Sequence, residues 1–376
     1  MGCTIRFNQR DYPPLPGMRL EIELDMYIRE ATINDNAELI ALQARCPQGT
    51  TVIVSTINTP DFFARAKVYE DFKVFAVCED NRIIASAACG VRNVIIGNTV
   101  AKVGHEFQAF VDPQYRGRRI AGELIQVREE YVRKRGAILS YGLIMEGNKP
   151  SMRHIERQGF TRHRTLVMPS IAVFKEMDIA HTGAIRHMVP EDLPGVVSLI
   201  NDTWKEYEFY EPMTAEEFNQ LIARTPAYNY DNVLLLEEAG EIIACLGFWD
   251  WSNVTQVTVK RLSFKMHGMS FLINAARIFR PLPRPPRPGS VLKQIMLTPI
   301  GFKDMQYIPT LLRYVNNRAY AEGIESIFFI CERDHPLSST LRGFIHIDTG
   351  IHLYIKPLNE NVSLSGKPVF INGLDL

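Results

Sequence analysis

Between Glu106 and Val111 the chain runs through a mainly apolar stretch, E-F-Q-A-F-V, which stops at Asp112-Pro113 and turns into a polar loop rich in arginine and glycine. Apolar positions return at Ile120, Leu124, Val127 and Tyr131, at spacings of four, three and four. That spacing lines one face of an α-helix. Residues 137–146, A-I-L-S-Y-G-L-I-M-E, are apolar almost throughout and predict a buried strand. Asn148 then opens a short helical segment that Gly159 closes, because glycine takes the left-handed cap conformation without steric cost. The predicted order is strand, basic glycine loop, helix, strand, short helix.

A weaker version of the same order recurs downstream. Tyr27-Ile-Arg-Glu-Ala-Thr-Ile-Asn-Asp35 leads into a helix with Leu39, Ile40 and Leu42, and Ala184-Ile-Arg-His-Met-Val-Pro-Glu-Asp192 leads into one with Val196, Leu199 and Ile200. A hairpin follows in each copy, Lys73–Glu79 with Arg82–Val91 and Asn232–Glu238 with Glu241–Trp249, the second turned by Ala239-Gly240. This repeat predicts two similar folds in tandem, residues 26–178 and 184–376, joined near 175–183 and preceded by a loose tail at 1–25 with Pro13, Pro14 and Pro16. In the second copy the strand Val291–Thr298 runs into P-I-G-F-K-D-M instead of an arginine-glycine loop. A helix at Met305–Glu322, a strand at Ser326–Cys331 and a short helix ending at Gly343-Phe344 then complete the layout. Residues 280–289, R-P-L-P-R-P-P-R-P-G, predict an extended, stiff, solvated insert, with an acidic partner for Arg280, Arg284 and Arg287 as the alternative.

Composition narrows the class. A chain of 376 residues is comfortable for two cores. Lys plus Arg equals Asp plus Glu at 42 each, so no global field favours nucleic acid or a membrane surface. Six cysteines, at 3, 46, 78, 89, 245 and 331, lack any C-x-x-C spacing, which points to free thiols, a cytoplasmic location and no metal site. No apolar run approaches the ~20 residues that span a bilayer. The opening Met-Gly-Cys is not followed by the Ser or Thr that a myristoylation pattern needs, since residue 6 is Arg.

The first turn of a helix presents unpaired N–H groups and the positive end of its dipole, so the loop before Ile120 is a candidate phosphate site, reinforced by Arg116, Arg118 and Arg119. The segment resembles motif A of the Gcn5-related N-acetyltransferases (the GNAT family), whose pattern is Arg/Gln-x-x-Gly-x-Gly/Ala. Two registers fit, Gln114-Tyr-Arg-Gly117-Arg-Arg119 and Arg116-Gly-Arg-Arg119-Ile-Ala121, and each departs from the pattern at Arg119. A helical backbone at Arg119 is expected there; a left-handed one would make arginine costly and weaken the cradle. Asn148, Ser151 and the Ile155-Glu-Arg-Gln-Gly159-Phe160 ending resemble the family's motif B.

The resemblance implies an α/β fold of two tandem acyl-CoA N-acyltransferase units, each a mixed, mostly antiparallel sheet flanked by helices, the second lacking the phosphate loop. It implies acetyl-CoA as acyl donor and an amine acceptor. The backbone of Phe110 and Val111 would pair with the pantetheine arm, and the N–H groups of Arg116, Gly117, Arg118, Arg119, Ile120 and Ala121 would hold the pyrophosphate. Asn148, with Ser151, would bind from the other side. Several members place a glutamate base where His105 stands, with Glu106 taking that place if the strand bulges. Many place a tyrosine acid where Ile155 stands, leaving water, His154 or Tyr141 as substitutes. The acceptor segment is expected near 45–70, where Asp61 and Glu70 are candidate amine contacts and Phe62 and Phe63 are core candidates. The leading reading is an N-acetyltransferase; a CoA-binding protein without turnover and an aminoacyl transferase are the alternatives. Oligomeric state is not legible.

Overall fold

The computed structural model describes residues 5–6 (backbone only), 26–179, 183–360 and 362–376. Its first part comprises β1 (Ile5–Arg6), β2 (Met26–Glu30), α1 (Asn36–Ala44), β3 (Val52–Asn58), β4 (Asp71–Glu79), β5 (Arg82–Ile96), β6 (Thr99–Val111), α2 (Ile120–Lys134), β7 (Leu139–Met145), α3 (Lys149–Arg157) and β8 (Thr161–Ala172). The second comprises β9 (Ala184–His187), α4 (Leu193–Trp204), α5 (Ala215–Arg224), β10 (Val233–Glu238), β11 (Glu241–Asp250), β12 (Thr255–Leu262), α6 (Phe264–Ala276), β13 (Val291–Leu292), β14 (Gln294–Phe302), α7 (Ile308–Ala321), β15 (Ser326–Phe328), β16 (Cys331–Glu332) and β17 (His346–Pro357).

Local chemistry accounts for the sharpest boundaries. The β4–β5 hairpin turns at Asp80 and Asn81, with φ of 50° and 64°, and β10–β11 turns at Ala239 and Gly240, with φ of 50° and 78°. Positive φ at both central residues is the hairpin turn whose twist matches that of the strands. Helix α3 ends with Gly159 at φ 88° while Phe160 N–H bonds Ile155 C=O (3.2 Å) and Gly159 N–H bonds Glu156 C=O (3.1 Å). That is the paired-bond helix stop that the Gly-Phe ending predicts.

The strands form one mixed sheet of 14, in the order β1-β2-β4-β5-β6-β7-β17-β8-β15-β14-β11-β10-β9, with β16 beside β8. Read inward from either end, β2-β4-β5-β6-β7 is matched by β9-β10-β11-β14-β15. Among the described strands the parallel pairs are β6 with β7 and β14 with β15, one in each half. The sequence reading expects two folds one after the other; described strands of both parts instead lie in one sheet. Strand β8 follows α3 in the chain but pairs with β15 and β17, while β17, from the far end of the chain, pairs with β7. One buried cluster runs through both halves, including Phe107 and Phe110, Val167 and Ile171, and Trp249, Met296 and Leu311.

Several expectations move. Within the proposed N-terminal tail, β1 pairs with β2; the rest of that tail lies outside the described residues. Strand β14 does not stop at Thr298 but runs on to Phe302, through a cis Thr298–Pro299 bond, where its register with β11 shifts beside Gly247. A bulge is where a strand tolerates proline's missing N–H donor. The strand expected at 326–331 is divided into β15 and β16, and the short helix before Gly343 is a 3-10 turn, Pro336–Leu341. A second small sheet, β13-β12-β3, and helix α6 were not foreseen. Cys46, Cys78, Cys89, Cys245 and Cys331 are buried free thiols. Among the described residues no helix is long and apolar enough to cross a membrane.

Because β17 completes the sheet beside β7, both halves should unfold together. Calorimetry of the whole chain is expected to give a single transition, and residues 26–178 expressed alone should fail to give a protease-resistant core, since β7 would be left an open edge. Two well-separated transitions would contradict this coupling.

Candidate active site

A notch opens in the first half of the sheet where β6 leaves β7. The two strands pair at Val103–Leu139, Gly104–Ser140 and His105–Tyr141 and no further, while β6 continues to Val111 bonded to β5. A bulge causes the parting. Gln108 has φ of 49°, and the register with β5 shifts between Ser86 and Ala88. An extra residue bends a strand and sharpens its twist. On the opposite wall Gly142 has no side chain to fill the opening; a Cβ there would lie 3.5 Å from Glu106 O and 3.6 Å from Ile155 Cδ1. That wall is held from behind by β17, paired from Pro357–Leu139 to Ile351–Met145.

The arginine-glycine loop closes the top of the notch. Asp112 anchors its base by accepting from Gln114 N–H (3.1 Å) and pairing with Arg45 (2.9 Å) and Arg82 (3.5 Å). Gly117 follows with φ of 86°, and Arg119 has φ 61°, ψ 0°. Arg119 is expected in the first helical turn; it is instead the left-handed residue capping α2, the arrangement that makes arginine costly there and counts against the phosphate cradle. A left-handed backbone costs an L-residue roughly 1–2 kcal/mol. Gly117 and Arg119 are the two left-handed positions of the loop, arginine standing in a conformation suited to glycine. Strain of this kind persists where surrounding structure enforces it, commonly at binding sites.

Arg116, Gly117, Arg118 and Arg119 are exposed, whereas Ile120 is buried and anchors α2. The Arg116 Nε donates to Val111 C=O (3.3 Å), so that carbonyl already has a partner on the notch wall. Arg118 lies over the Tyr115 ring at 4.8 Å. Ala121 is half-buried in the first turn of α2, and Gly122 beside it packs so near Gln158 that a Cβ would meet its Nε2 at 3.1 Å. Asn148 caps α3, its Oδ1 accepting from Ser151 N–H (3.3 Å), which leaves its NH2 as the donor it can offer a ligand.

His105 and Glu106 point to opposite faces of β6, as the two-residue period requires. The His105 ring stacks on Tyr141 at 4.5 Å and on Phe107 at 5.1 Å, and its Nδ1 is 2.6 Å from Tyr69 Oη. Tyr69 donates its hydroxyl proton to Asp375 Oδ1 (2.6 Å), and Tyr141 donates to Oδ2 (3.0 Å). With the tyrosine proton committed, the Tyr69–His105 contact is made by an N–H at Nδ1, an inferred tautomer that leaves Nε2 able to accept a proton. Arg92 completes the cluster, 2.9 Å from Asp375 and 2.6 Å from Glu211, with its guanidinium 4.4 Å from the Tyr69 ring centre. Burial pushes the His105 pKa down to about 3, aided by Arg65, Arg92 and Arg128 and opposed by Asp375. Burial raises Asp375, but Arg92, His105 and the two tyrosines outweigh it and hold its carboxyl below the usual range. Tyr69, Arg92 and Asp375 are absent from the sequence-based site. Tyr69 and Asp375 are 306 positions apart, a separation at which no local spacing carries a signal.

Glu106 faces α2, 3.1 Å from the Arg128 guanidinium, and both are buried. Burial pushes its pKa up to about 7; Arg128 opposes the rise and Glu129 adds to it. The ion-pair distance and the raised pKa point in opposite directions. Desolvation of a fully enclosed carboxyl outweighs one attractive charge, particularly with a second carboxylate nearby. Ile155 is buried against Ile125, Phe160 and Tyr354, and Tyr354 donates to Glu156 (2.8 Å). In the expected acceptor segment Phe62 and Phe63 are core residues. Asp61 is tied to Lys67 at 2.5 Å, and Glu70 lines an open cleft with Arg92, Asn93 and Lys102.

Residues 38–160, from α1 through α3, match the model of the Acetyltransferase (GNAT) family. No curated protein matches the chain by sequence. Among solved structures it is similar to a GCN5-related N-acetyltransferase from Sphaerobacter thermophilus, with TM-score 0.54 and 15% identity over 90% of this chain and 98% of that one. It is similar to Saccharomyces cerevisiae N-myristoyltransferase with bound myristoyl-CoA, with TM-score 0.63 and 13% identity over 96% and 87%. A third is the GCN5-related glucosamine N-acetyltransferase region of a fungal multi-domain GH3 β-N-acetylglucosaminidase, with TM-score 0.59 and 11% identity over 89% and 38%. At these identities the likeness is one of fold: the chain has a GNAT-type acyltransferase fold.

Two stability measurements follow from the geometry. Arg119→Gly removes the left-handed penalty and should raise stability by about 1 kcal/mol in urea unfolding; a loss would mean the side chain contributes more than its backbone costs. His105 should set an acid limit. Its folded pKa of about 3 lies below the ordinary 6.5, so the unfolded state binds the extra proton, and stability falls as pH drops from 6.5 towards 3. His105→Gln should lose that slope. Glu106 works in the other direction, its contribution declining as pH rises from 4.5 towards 7.

Proposed function

We propose that the protein is an N-acetyltransferase that moves an acetyl group from acetyl-CoA to a primary amine by direct attack in a ternary complex. The observation that carries this reading is the parting of β6 from β7 immediately beyond His105–Tyr141; the left-handed Arg119 before α2 counts against the phosphate-binding part of it. Acetyl-CoA supplies an activated thioester carbonyl. The free edge of β6 from Glu106 to Val111 offers backbone groups along which an extended pantetheine arm can lie as an added strand. Phe110 and Val111 belong to that edge. The N–H groups from Arg116 to Ala121, the adjacent guanidinium groups and the NH2 of Asn148 suit the pyrophosphate and the amides of the arm. A backbone N–H of β6 polarises the carbonyl as its oxygen gains charge.

The acceptor amine must lose a proton before or during attack. His105 Nε2, oriented through Tyr69 by Asp375, is one candidate base, but a pKa pushed down to about 3 by burial makes it a weak proton acceptor, and the bulge at Gln108 is the condition under which Glu106 takes the place. Glu106, with a pKa near neutrality, is the second. The missing tyrosine at Ile155 is not replaced by Tyr141, whose hydroxyl proton is held by Asp375 Oδ2 (3.0 Å) and whose pKa burial raises well above its ordinary value; the departing thiolate takes its proton from water or leaves unaided. The acceptor enters on the His105 face, beneath the segment carrying Arg65 and Tyr69. The buried free thiols fit a reducing, cytoplasmic setting.

We read the second half as a degenerate copy. At the place equivalent to the notch, β14 parts from β15 after Met296–Phe328. There Gly373 packs so closely that a Cβ would lie 2.9 Å from Met296 and 3.2 Å from Thr298. Thr298 Oγ1 also contacts Asn372 Oδ1 at 3.0 Å. The enclosure of His105 and Tyr141 favours one competing reading, a CoA-binding protein without turnover.

Calorimetric titration with acetyl-CoA should show one site per chain, and Arg119→Glu should weaken it by tenfold or more, by setting an anion against the pyrophosphate. His105→Ala should slow transfer by about 10²–10⁴ while changing CoA affinity little. Binding without turnover across an amine screen would favour the regulatory reading; no binding at all would sink both.

A further inference from the structure

Among the described α-helices, α6 is the one with no buried residue. It sits at the tip of an excursion between β12 and β13, whose ends are pinned by Ser263 N–H to Thr51 C=O (2.8 Å) and Gly289 N–H to Val259 C=O (2.7 Å). Phe264, Phe271 and Leu272 are 95%, 73% and 67% exposed, and Phe279, in the turn that continues the helix, is 85% exposed. Their spacing of seven, one and seven places all four on one face. The stripe is roughly 22 Å long at helical rise. Met266, Ser270, Ile273 and Arg277 form the opposite, half-buried face.

Charge on this excursion is one-sided. From Trp251 to Lys303 the chain has no Asp or Glu, yet Lys260, Arg261, Lys265, Arg280, Arg284 and Arg287 are exposed. The zero net charge of the whole chain conceals this segregation. An exposed bulky apolar stripe on a water-soluble surface marks an interaction site. Stripe and cations together match an interfacial helix, apolar face in the acyl boundary and basic groups at anionic headgroups. A nucleic acid would use the cations but leave four bulky apolar groups without a partner, so lipid is the better match.

We propose that α6 and the following proline-arginine segment dock the protein on anionic membrane surfaces. This inference is independent of the acyl-transfer reading. The expectation of a solvated insert rested on residues 280–289 alone, without the neighbouring apolar stripe.

The test is co-sedimentation of the full chain with vesicles of phosphatidylcholine alone and of phosphatidylcholine with about one-third phosphatidylserine. Binding is expected to the anionic vesicles, weakening with salt, and to be slight on the neutral ones. Arg280→Gln/Arg284→Gln/Arg287→Gln should reduce it on the order of a hundredfold, at about fivefold per charge. Phe271→Ser/Phe279→Ser should reduce it by about tenfold or more with an unchanged melting curve, because both side chains are exposed. No binding to anionic vesicles would overturn the proposal. So would binding indifferent to the phenylalanine variant together with tight binding to single-stranded RNA, which would mark a polyanion site. Self-association abolished by the phenylalanine variant would equally overturn it, by assigning the stripe to a second copy of the chain.

Discussion

The structure depends on how the wall of the notch is held. A strand that parts from its neighbour loses hydrogen bonds on one edge, and an open edge is unstable unless the other side is secured. Strand β7 makes that departure from β6, and its opposite edge is occupied along its length by β17. β17 lies between β7 and β8, and β8 passes on to pair with the second half. The notch in one half is therefore kept open by a strand that arrives after the other half has been laid down. Lys356 on β17 also reaches Glu129 on α2 (2.5 Å), tying the same strand to the helix behind the phosphate loop.

A buried charge cluster joins the halves at the base of the notch. Arg92 belongs to β5, whereas Glu211 and Asp375 come from the second half. Enclosing these charges depends on their pairing, Arg92 with both Glu211 and Asp375, and on the two tyrosine hydroxyls that donate to Asp375; removing one partner from such a pair costs about 3–5 kcal/mol. The same contacts orient Tyr69 and Tyr141, and through Tyr69 they fix the tautomer of His105. One carboxylate, Asp375, thus contributes both to cohesion between the halves and to the proton inventory around His105. Glu106, one residue away, meets a different environment because successive strand residues face opposite sides.

Wherever a feature is decided within a few residues, the sequence reading was close. Gly159 stops α3 as expected, and the Ala239-Gly240 turn forms its hairpin. The arginine-glycine loop does stand between β6 and α2, but Arg119 adopts the less favourable backbone of the two considered, because the tertiary frame imposes a geometry that a propensity argument disfavours. Helix α6 escaped notice for a related reason. Periodicity identifies helices by the face they bury, and this one buries none.

The sequence by itself determined the order strand, basic loop, helix, strand and short helix from β6 to α3 and the two hairpin turns. These follow from helix and strand periods and from the backbone freedom of glycine, which act over a handful of residues. Only the tertiary structure decided that the halves share one sheet, that β17 lies between β7 and β8, and that Asp375 and Tyr69 close on His105. Strand partners and buried ion pairs are chosen by burial and charge compensation across hundreds of positions, and the alternating pattern of a strand does not say which edge it will meet.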